Sequence, residues 1–245
     1  MLSSLESRLV PAVGTIGYRY GTGEVTVTTA DNPIVRRTPA QGRSTQRFTL
    51  ILDTMAALID EVGYASITIS LIAKRSGMTG PAVYRYFDDL HSIARALAQR
   101  NRERFFVRVT ETLGDKTLDW QDAMHGVAAN YADMFREEPG FRWLRLGDEL
   151  DRNLVTPEMS SRALMARAAS ALFVKRYEVD YRPDLVAHVE VMIEFADALI
   201  ARAFLFEPDG DAFFIEQCAD LLSSYLGNYL AQPYDHDAAP PAEVR

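Results

Sequence analysis

Apolar residues recur at three- and four-residue spacing along most of the chain after residue 43, and turn-forming residues separate these periodic stretches. The first stretch runs to Val62 and is followed by Gly63, which predicts an amphipathic helix with a glycine after its last turn. A short second helix is predicted to begin after Thr68, whose hydroxyl suits an N-cap, and to close at Gly77.

The next stretch predicts two more helices in quick succession. Thr79 can cap a third helix, in which Pro81 lies within the first turn, where the missing N–H of proline costs no intrahelical hydrogen bond. Asp88 or Asp89 caps a long fourth helix. Further helices are indicated by apolar spacing or by a bounding proline or glycine over residues 120–135, 141–146, 157–177, 183–204 and 211–230.

The two ends of the chain lack this helical pattern. Residues 1–43 are rich in glycine, proline, threonine and serine, and we predict a flexible N-terminal leader in which the alternating residues 24–28 could form a lone strand. Residues 232–245 contain Ala-Pro-Pro-Ala and are predicted to be a disordered tail. Helices therefore account for the predicted core, and the predicted fold class is all-α.

Composition indicates an ordinary globular protein in a reducing compartment. The 245 residues, 48% of them hydrophobic, can bury a sizeable core. A single cysteine excludes an internal disulfide framework and any multi-cysteine metal site, which favours a cytoplasmic location. The sequence has no secretory signal and no apolar run of the roughly 18 residues that a membrane helix needs, so we expect no membrane partner.

The charge is distributed unevenly along the chain. The formal net charge of −8 argues against a nucleic-acid partner if it is taken alone, because phosphate contacts come from Lys and Arg. However, residues 36–100 carry a net charge of about +4, whereas residues 101–245 carry about −11. A cationic module thus precedes an anionic one, which is either a division of labour or ordinary surface variation.

The second and third predicted helices have the spacing of a helix-turn-helix. Ala73 allows close approach of the two helices, Gly77 takes the tight turn, and Val83 closes the core. Met78, Val83 and Phe87 are predicted to point inward. The outward face of the third helix would then present Thr79, Gly80, Pro81, Ala82, Tyr84, Arg85 and Tyr86.

The stretch ITISLIAKRSGMTGPAVYRYF resembles the DNA-binding domain of the tetracycline-repressor-like (TetR) family of bacterial transcription regulators, over residues 44–97. The resemblance rests on Thr68, Ile72 with Ala73, Gly77 with Met78, and Tyr84 with Phe87. It implies a homodimer of all-helical subunits and no cofactor. Residues 44–90 would form a three-helix DNA-binding domain, and residues 91–231 a helical domain for ligand binding and dimerisation.

Within this resemblance, Thr68 matches a phosphate-contacting threonine, and Tyr84 and Tyr86 match positions that grip phosphates. Arg85 is the best candidate for a guanine contact, but it could equally lie along the DNA backbone. Lys74, together with its neighbour Arg75, is either a phosphate anchor or part of a solvated helix face.

The resemblance also implies that the start of the recognition helix, which faces base edges, is formed by Thr79, Gly80, Pro81 and Ala82. Proline and alanine there offer apolar contact to thymine methyl groups. The chain departs from the family at Leu90, where many members have a lysine that contacts phosphate. The neighbouring carboxylates at 88 and 89 oppose such a contact. Basic residues of the leader could compensate as a minor-groove arm, or could form a disordered basic linker: Arg36, Arg37, Arg43 and Arg47.

The remainder of the chain carries no motif of its own. The resemblance implies that the last two long helices pair with their copies in a dimer, the alternative being burial within one subunit. It also implies a small-molecule effector between the middle helices. Aromatic residues available to contact that effector, most of which we expect in the core, are Phe106, Trp120, Tyr131, Phe135, Phe141, Trp143, Phe173, Tyr177 and Phe195.

The sequence gives little indication of metal binding, redox chemistry or catalysis. His125 and His188 lack close metal-ligating neighbours in the sequence, so we predict no metal site. Cys218 has the pattern of a small buried hydrophobe. We find no phosphate-binding loop, nucleophile elbow or zincin motif, and we predict no enzyme activity and no catalytic residues. A helical adaptor that binds protein through the same helix-turn-helix is the alternative to a DNA-binding regulator.

Overall fold

The structure is a computed structural model that describes residues 16–20, 23–27, 43–145, 161–180 and 182–233. A short antiparallel hairpin pairs β1 (Ile16–Tyr20) with β2 (Gly23–Val27), in a register that places Tyr18 opposite Val25. The helices are α1 Arg43–Val62, α2 Ile69–Arg75, α3 Gly80–Tyr84, α4 Leu90–Gly114, α5 Trp120–Glu137, α6 Phe141–Leu144, α7 Ser161–Tyr177, α8 Leu185–Ala203 and α9 Ala212–Ala231.

Helices α1 to α3 and the first turns of α4 enclose the N-terminal core. The Thr68 hydroxyl accepts a hydrogen bond from the Leu71 N–H at 3.1 Å, which caps α2 as predicted. Gly77 takes the turn into α3 with a φ of 66°, a conformation that favours glycine. Asp89, one of the two predicted caps, forms a capping box with Ser92 at the start of α4.

The predicted inward positions close this core. Val83 and Phe87 are fully buried, and Phe48 of α1 stacks on Phe87 with ring centroids 5.1 Å apart. Met78 is partly buried against the same cluster. Full burial of Val83 and Phe87 contributes on the order of 2 kcal/mol each. A helix of five residues is not stable alone, so this burial is what holds α3 against the N-terminal core.

The rest of α4 packs with α5, α7, α8 and α9 around a second core. Helix α9 contacts both α5 and α8, and α8 contacts α7. Phe105, Val109 and Leu113 of α4 belong to this core, whereas Ile93 and Leu97 of the same helix belong to the N-terminal core. The sequence-based division at residues 90 and 91 stays a prediction, and α4 runs through both cores as one helix.

The all-α prediction is confirmed for the packed body. Two predicted elements differ from the structure in detail. The strand expected at 24–28 is not alone, because it pairs with β1. The helix predicted over 141–146 ends at Leu144, and residue 146 lies outside the described residues. Residues 157–160 and 234–245 also lie outside them. No described helix is both long and apolar enough to cross a membrane.

Candidate nucleic-acid interface and interior cavity

The outward side of α3 is formed by side chains that the N-terminal core leaves exposed. Thr79, Pro81, Tyr84 and Arg85 are all exposed, with Tyr84 at 49% of its full accessible surface. Gly80 and Ala82 are partly exposed. The surface therefore combines hydroxyls, a guanidinium and small apolar groups, which are the groups that contact phosphates, base edges and thymine methyls.

The Thr79 hydroxyl is not used to hold its own helix. Thr79 has the extended backbone of an N-cap, and its carbonyl accepts from the Ala82 N–H at 2.9 Å, but its side chain makes no capping hydrogen bond. This differs from Thr68, whose hydroxyl oxygen is occupied by the Leu71 N–H although the residue is exposed. Thr79 can therefore both donate to and accept from a partner molecule.

Tyr86 does not belong to this surface, and its predicted outward direction was wrong. It is only 7% exposed, and the Ser44 hydroxyl lies 3.5 Å from its hydroxyl oxygen. Tyr86 follows the buried Val83 by three residues, and the Tyr86 N–H donates to the Val83 carbonyl at 2.9 Å in a tight turn. Side chains three residues apart in such a turn point the same way, so Tyr86 packs toward α1.

The basic residues near α3 differ in their exposure and in whether they form an ion pair. Lys74 is exposed at the end of α2. Its neighbour Arg75 is also exposed, but its guanidinium lies 2.6 Å from the Glu61 carboxylate, which favours the solvated-face interpretation for this residue. Of the arginines before and within α1, Arg47 is exposed, Arg36 and Arg37 lie outside the described residues, and the side chain of Arg43 is also outside them.

A cavity of about 100 Å³ lies in the second core, between α4, α5, α7, α8 and α9. Its lining includes Phe106, Val109, Met165, Val189 and Ile193. The walls are apolar almost throughout, as is typical of a site for an apolar molecule.

Three of the nine predicted aromatic residues line this cavity: Phe106, Tyr131 and Phe173. The other six do not line it, and their expected contact with an effector there is not supported: Trp120, Phe135, Phe141, Trp143, Tyr177 and Phe195. Phe135 and Phe141 instead form an aromatic cluster with Phe204, in which rings of Phe135 and Phe204 stack at 5.1 Å. Residue type alone does not distinguish a side chain that lines the cavity from one that fills the core, because both kinds are apolar.

A buried polar cluster adjoins the cavity at Asp197, which is 5% exposed. The Tyr131 hydroxyl donates to one carboxylate oxygen of Asp197 at 2.6 Å. Arg145 and Arg162 donate to the other oxygen at 3.1 and 2.9 Å. Burial, followed by the negative charge of Asp197, raises the pKa of Tyr131 well above its ordinary value of 10.0, so the hydroxyl stays protonated at neutral pH.

Sequence reasoning missed this cluster. Asp197 is 66 residues from Tyr131, 52 from Arg145 and 35 from Arg162 along the chain. A signal was available, since Asp197 interrupts the apolar face of α8 between Ile193 and Ile200, and a buried acid requires partners.

Helix α6 joins the two cores. Leu144 is buried in the N-terminal core, and the ring of Trp143 stacks on Tyr64 with centroids 4.1 Å apart. The Gly140 N–H donates to the Asp60 carboxylate at 2.9 Å. A side chain at Gly140 would place its Cβ 3.1 Å from the α1 backbone at Ala56, and its φ of 73° also favours glycine.

The same short helix is tied to the second core. Arg142 donates from Nε to the Phe135 carbonyl at 2.7 Å, and Arg145, the residue after α6, reaches Asp197. Arg145 has a φ of 45°, an unfavourable conformation for a residue with a side chain. Such a backbone persists only where surrounding contacts hold it, and the ion pair to Asp197 is one of those contacts.

Residues singled out for other chemistry have structural partners. His188 Nδ1 lies 2.8 Å from the Tyr225 hydroxyl, and His188 Nε2 lies 3.6 Å from the Asp184 carboxylate. Within the described ranges, no three His, Cys, Asp or Glu residues are placed to hold a metal ion. Cys218 is fully buried as predicted, and burial raises the pKa of its thiol to about 12.

Comparison with known proteins agrees with this geometry. Residues 51–97, which include α2 and α3, match the family described as bacterial regulatory proteins, tetR family. Residues 118–230 match the family described as tetracyclin repressor-like, C-terminal domain. A TetR-family transcriptional regulator from Streptomyces coelicolor has a solved structure that is 35% identical. The chain belongs to the TetR family of transcriptional regulators.

The extent of these likenesses differs between relatives. The Streptomyces coelicolor structure aligns with 74% of this chain and 98% of its own, with a TM-score of 0.62. A TetR-family regulator from Pectobacterium atrosepticum is 18% identical over 79% of this chain and 100% of its own, with a TM-score of 0.59, which shows the fold. The uncharacterized HTH-type transcriptional regulator YobS of Bacillus subtilis (strain 168) is 25% identical over 92 residues, which are 38% of this chain. The chain thus spans about half, 47%, of that curated relative.

Membership of the TetR family confirms the prediction of a helix-turn-helix DNA-binding regulator. The matched families and the fold are those of transcription regulators rather than of enzymes. TetR-family regulators bind DNA and small molecules and form dimers, and the two matched regions correspond to the DNA-binding part and the helical part of such proteins.

Proposed function

We propose that this TetR-family protein is a ligand-responsive repressor, which binds a palindromic operator as a homodimer and is released by a small, largely apolar effector. The observation that carries the proposal is the outward side of α3, where Thr79, Tyr84 and Arg85 stand exposed on a helix anchored by the buried Val83 and Phe87. In a dimer, two such helices would enter successive major grooves about 34 Å apart.

Each exposed side chain of α3 has a distinct role in this proposal. Tyr84 contacts phosphate, Thr79 faces the base edges, and Pro81 and Ala82 lie against thymine methyl groups. Arg85 either reads guanine through O6 and N7 or lies along the backbone. Thr68 and Lys74 on α2 add phosphate contacts at the edge of the interface. Tyr86 is excluded because its side chain is buried.

The dimer is proposed to form through α8 and α9. Both helices bury one side in the second core and leave large apolar residues exposed on the other, among them Val191 and Leu221. The turn between these helices exposes Phe206, and α9 exposes Phe213 near its start. Pairing the two helices with their copies in a four-helix bundle would remove exposed apolar surface from water.

The effector is proposed to act through α6. The cavity is lined by Tyr131, Tyr131 donates to Asp197, and Asp197 is paired with Arg145 directly after α6. Because α6 packs Leu144 into the N-terminal core, a change at the cavity wall alters the support of α3. An effector that prefers the released arrangement a hundredfold supplies about 2.7 kcal/mol toward release.

Selection of bound fragments from a genomic DNA library tests the operator. A palindromic site is expected, since two-fold symmetry of the protein is mirrored in its operator. Affinity for that site should fall about a thousandfold or more between about 50 and 200 mM salt. An affinity that is insensitive to salt would instead favour a protein-binding adaptor.

Variants of α3 test the interface itself. Tyr84→Ala and Arg85→Ala are expected to abolish retention of the operator in a gel-shift assay run near the wild-type dissociation constant, while the protein remains dimeric on a sizing column. Lys175→Ala, an exposed cation on α7, is the matched control and should bind normally. Normal operator binding by both α3 variants would reject the site.

A further inference from the structure

The wall of the cavity offers a bound molecule almost no polar surface. Apart from Tyr131, every lining residue that the structure describes is Phe, Val, Leu, Ile, Met or Ala, none of which carries a side-chain O–H or N–H group. These residues all lie in helices, whose interior N–H and C=O groups bond to each other. A molecule in the cavity therefore contacts carbon and sulfur atoms.

Tyr131 contributes its ring to the wall, and its hydroxyl is directed away from the cavity. The hydroxyl donates to Asp197 at 2.6 Å, and Asp197 does not line the cavity. The ring centroids of Phe105, Phe135 and Phe141 lie 4.8, 5.4 and 5.8 Å from that of Tyr131. Because the Tyr131 ring is packed on several sides, its hydroxyl cannot turn toward the cavity without disturbing the core.

The charged groups of the polar cluster are paired with each other outside the cavity wall. The Asp197 carboxylate accepts from Arg145 at 3.1 Å and from Arg162 at 2.9 Å, and Arg162 also lies 3.2 Å from the Glu194 carboxylate. Two carboxylates thus balance two guanidinium groups, and none of the four residues lines the cavity. A charged molecule in the cavity would lose its hydration and would gain no ion pair in the described wall.

We propose that the effector of this regulator is a hydrocarbon-like molecule of about one ring, which carries no charge and no hydrogen-bonding group. The inference rests on the proposed function, in which this cavity is the effector site. A hydroxyl or amino group on the molecule would give up its hydrogen bonds to water and would find no partner in the described wall. A nonpolar molecule has no such hydrogen bonds to lose, and binding removes its surface from water.

The volume of the cavity sets the size of the molecule. The cavity holds about 100 Å³, and an apolar cavity of about 150 Å³ in another protein stays dry and binds benzene. Water competes poorly for such a space, because a buried water molecule needs about two to four polar partners. Single-ring hydrocarbons are therefore the probes that match the cavity.

Titration calorimetry on the full chain with toluene and phenol tests the proposal, because these molecules have nearly the same shape and differ by a methyl group and a hydroxyl. We expect toluene to bind about 5- to 150-fold more tightly than phenol, the range for burying a hydroxyl without a hydrogen bond. Benzene, which is smaller, should also bind more tightly than phenol. Benzoate and benzylammonium should show no binding at the concentration of toluene that half-saturates the protein.

Three variants locate the binding. In Ala169→Leu the added side chain fills part of the cavity, so toluene should bind more weakly. Ala129→Leu is the matched control, since Ala129 is exposed on α5 and does not line the cavity, and it should bind toluene normally. In Tyr131→Phe the ratio of the phenol and toluene dissociation constants should stay the same, because the lost hydroxyl faces Asp197.

Gel shifts with the operator selected from the genomic library connect this binding to regulation. Toluene should weaken operator retention by the wild-type protein, and phenol at the same concentration should weaken it less. The same assay separates the two levels of the argument. Operator retention with no preference for toluene removes this inference alone, whereas failure to retain any selected fragment removes the proposed function.

Several results would overturn the proposal. These are phenol, benzoate or benzylammonium binding as tightly as toluene, a ratio that changes in Tyr131→Phe, toluene binding that leaves operator retention unchanged, or no binding of any ring. Tight binding of benzoate would show that an arginine of the polar cluster reaches the ligand. The wild-type ratio decides the preference even if Tyr131→Phe does not fold.

Discussion

The outward side of α3 and the cavity of the second core use their side chains in opposite ways. On α3, Tyr84 and Arg85 point to solvent, and the buried Val83 holds the helix in place. In the cavity, apolar side chains form the wall and the single hydroxyl of Tyr131 is bonded to the protein itself. A surface for DNA must present particular polar groups at fixed spacing, whereas a cavity for an apolar molecule only requires volume and shape.

The largest effect on stability is expected when the buried carboxylate of the polar cluster beside the cavity is removed. Asp197→Ala leaves two arginines and the Tyr131 hydroxyl without their shared acceptor, and we expect a loss of about 3 to 5 kcal/mol in the free energy of unfolding. Urea denaturation followed by circular dichroism measures this loss. Asp220→Ala, an exposed carboxylate on α9, should change stability by less than about 0.5 kcal/mol. Equal stabilities of the two variants would contradict the assigned role of Asp197.

The next effect sharpens the role of Arg85. If the guanidinium reads guanine, Arg85→Ala weakens binding by about 1 to 3 kcal/mol and relaxes the preference at one operator position. If it lies along the backbone, all operator variants weaken alike and the salt slope falls by about one. Fluorescence anisotropy with a panel of single-base operator variants distinguishes these outcomes. Identical affinity of Arg85→Ala and wild type on every operator would remove Arg85 from the interface.

A smaller effect is expected where the two regions meet. Trp143→Ala removes the stack on Tyr64, which contributes about 0.5 to 1.5 kcal/mol beyond burial. We expect weaker coupling between the cavity and the DNA-binding surface, seen as a smaller change in operator affinity when a small apolar molecule that occupies the cavity is added. Val107→Ala, on an exposed position of α4, should keep the wild-type change. If Trp143→Ala showed the same ligand-induced change in operator affinity as wild type, the Trp143–Tyr64 contact would not belong to the path through α6.

The smallest expected effect is the contribution of Cys218 to the pH dependence of stability. Its folded pKa of about 12 lies above the unfolded value of 9.0, so its stabilising contribution is complete below pH 9 and is lost as the pH rises toward 12. In Cys218→Ala this part of the alkaline loss of stability should disappear, while stability at different pH values below 9 should run parallel to wild type. Denaturation midpoints measured from pH 7 to 11 test this, and identical alkaline slopes would contradict it.

Local chemistry made the N-terminal region predictable from the sequence. The Thr68 cap, the Asp89 cap and the inward direction of Val83 each depend on residues within one or two helical turns, and all three are seen in the structure. Tyr86 was misplaced although the rule that corrects it is also local, because the turn after α3 brings it to the side of Val83. The Tyr86 N–H donates to the Val83 carbonyl, and this i to i+3 spacing places both side chains on the same side.

The second region depends on contacts that no local pattern carries. The sequence gives aromatic residues in abundance, but only tertiary packing decides that Phe106, Tyr131 and Phe173 face the cavity while Phe135 and Phe141 fill the core. Apolar burial is non-directional, so many arrangements of the same residues satisfy it.

By itself, the sequence determined that this protein is an all-α, TetR-like chain with a cationic helix-turn-helix in front of an anionic helical body. Short-range rules of capping, turn geometry and periodicity suffice for the helices and the helix-turn-helix, because they act between residues that are close along the chain. The TetR likeness came from the resemblance of that motif to the family. Only the tertiary structure decided that Asp197 gathers Tyr131, Arg145 and Arg162 beside the cavity, and that α6 belongs to both cores. Those contacts join residues that are far apart along the chain, and each exists only after the helices have packed.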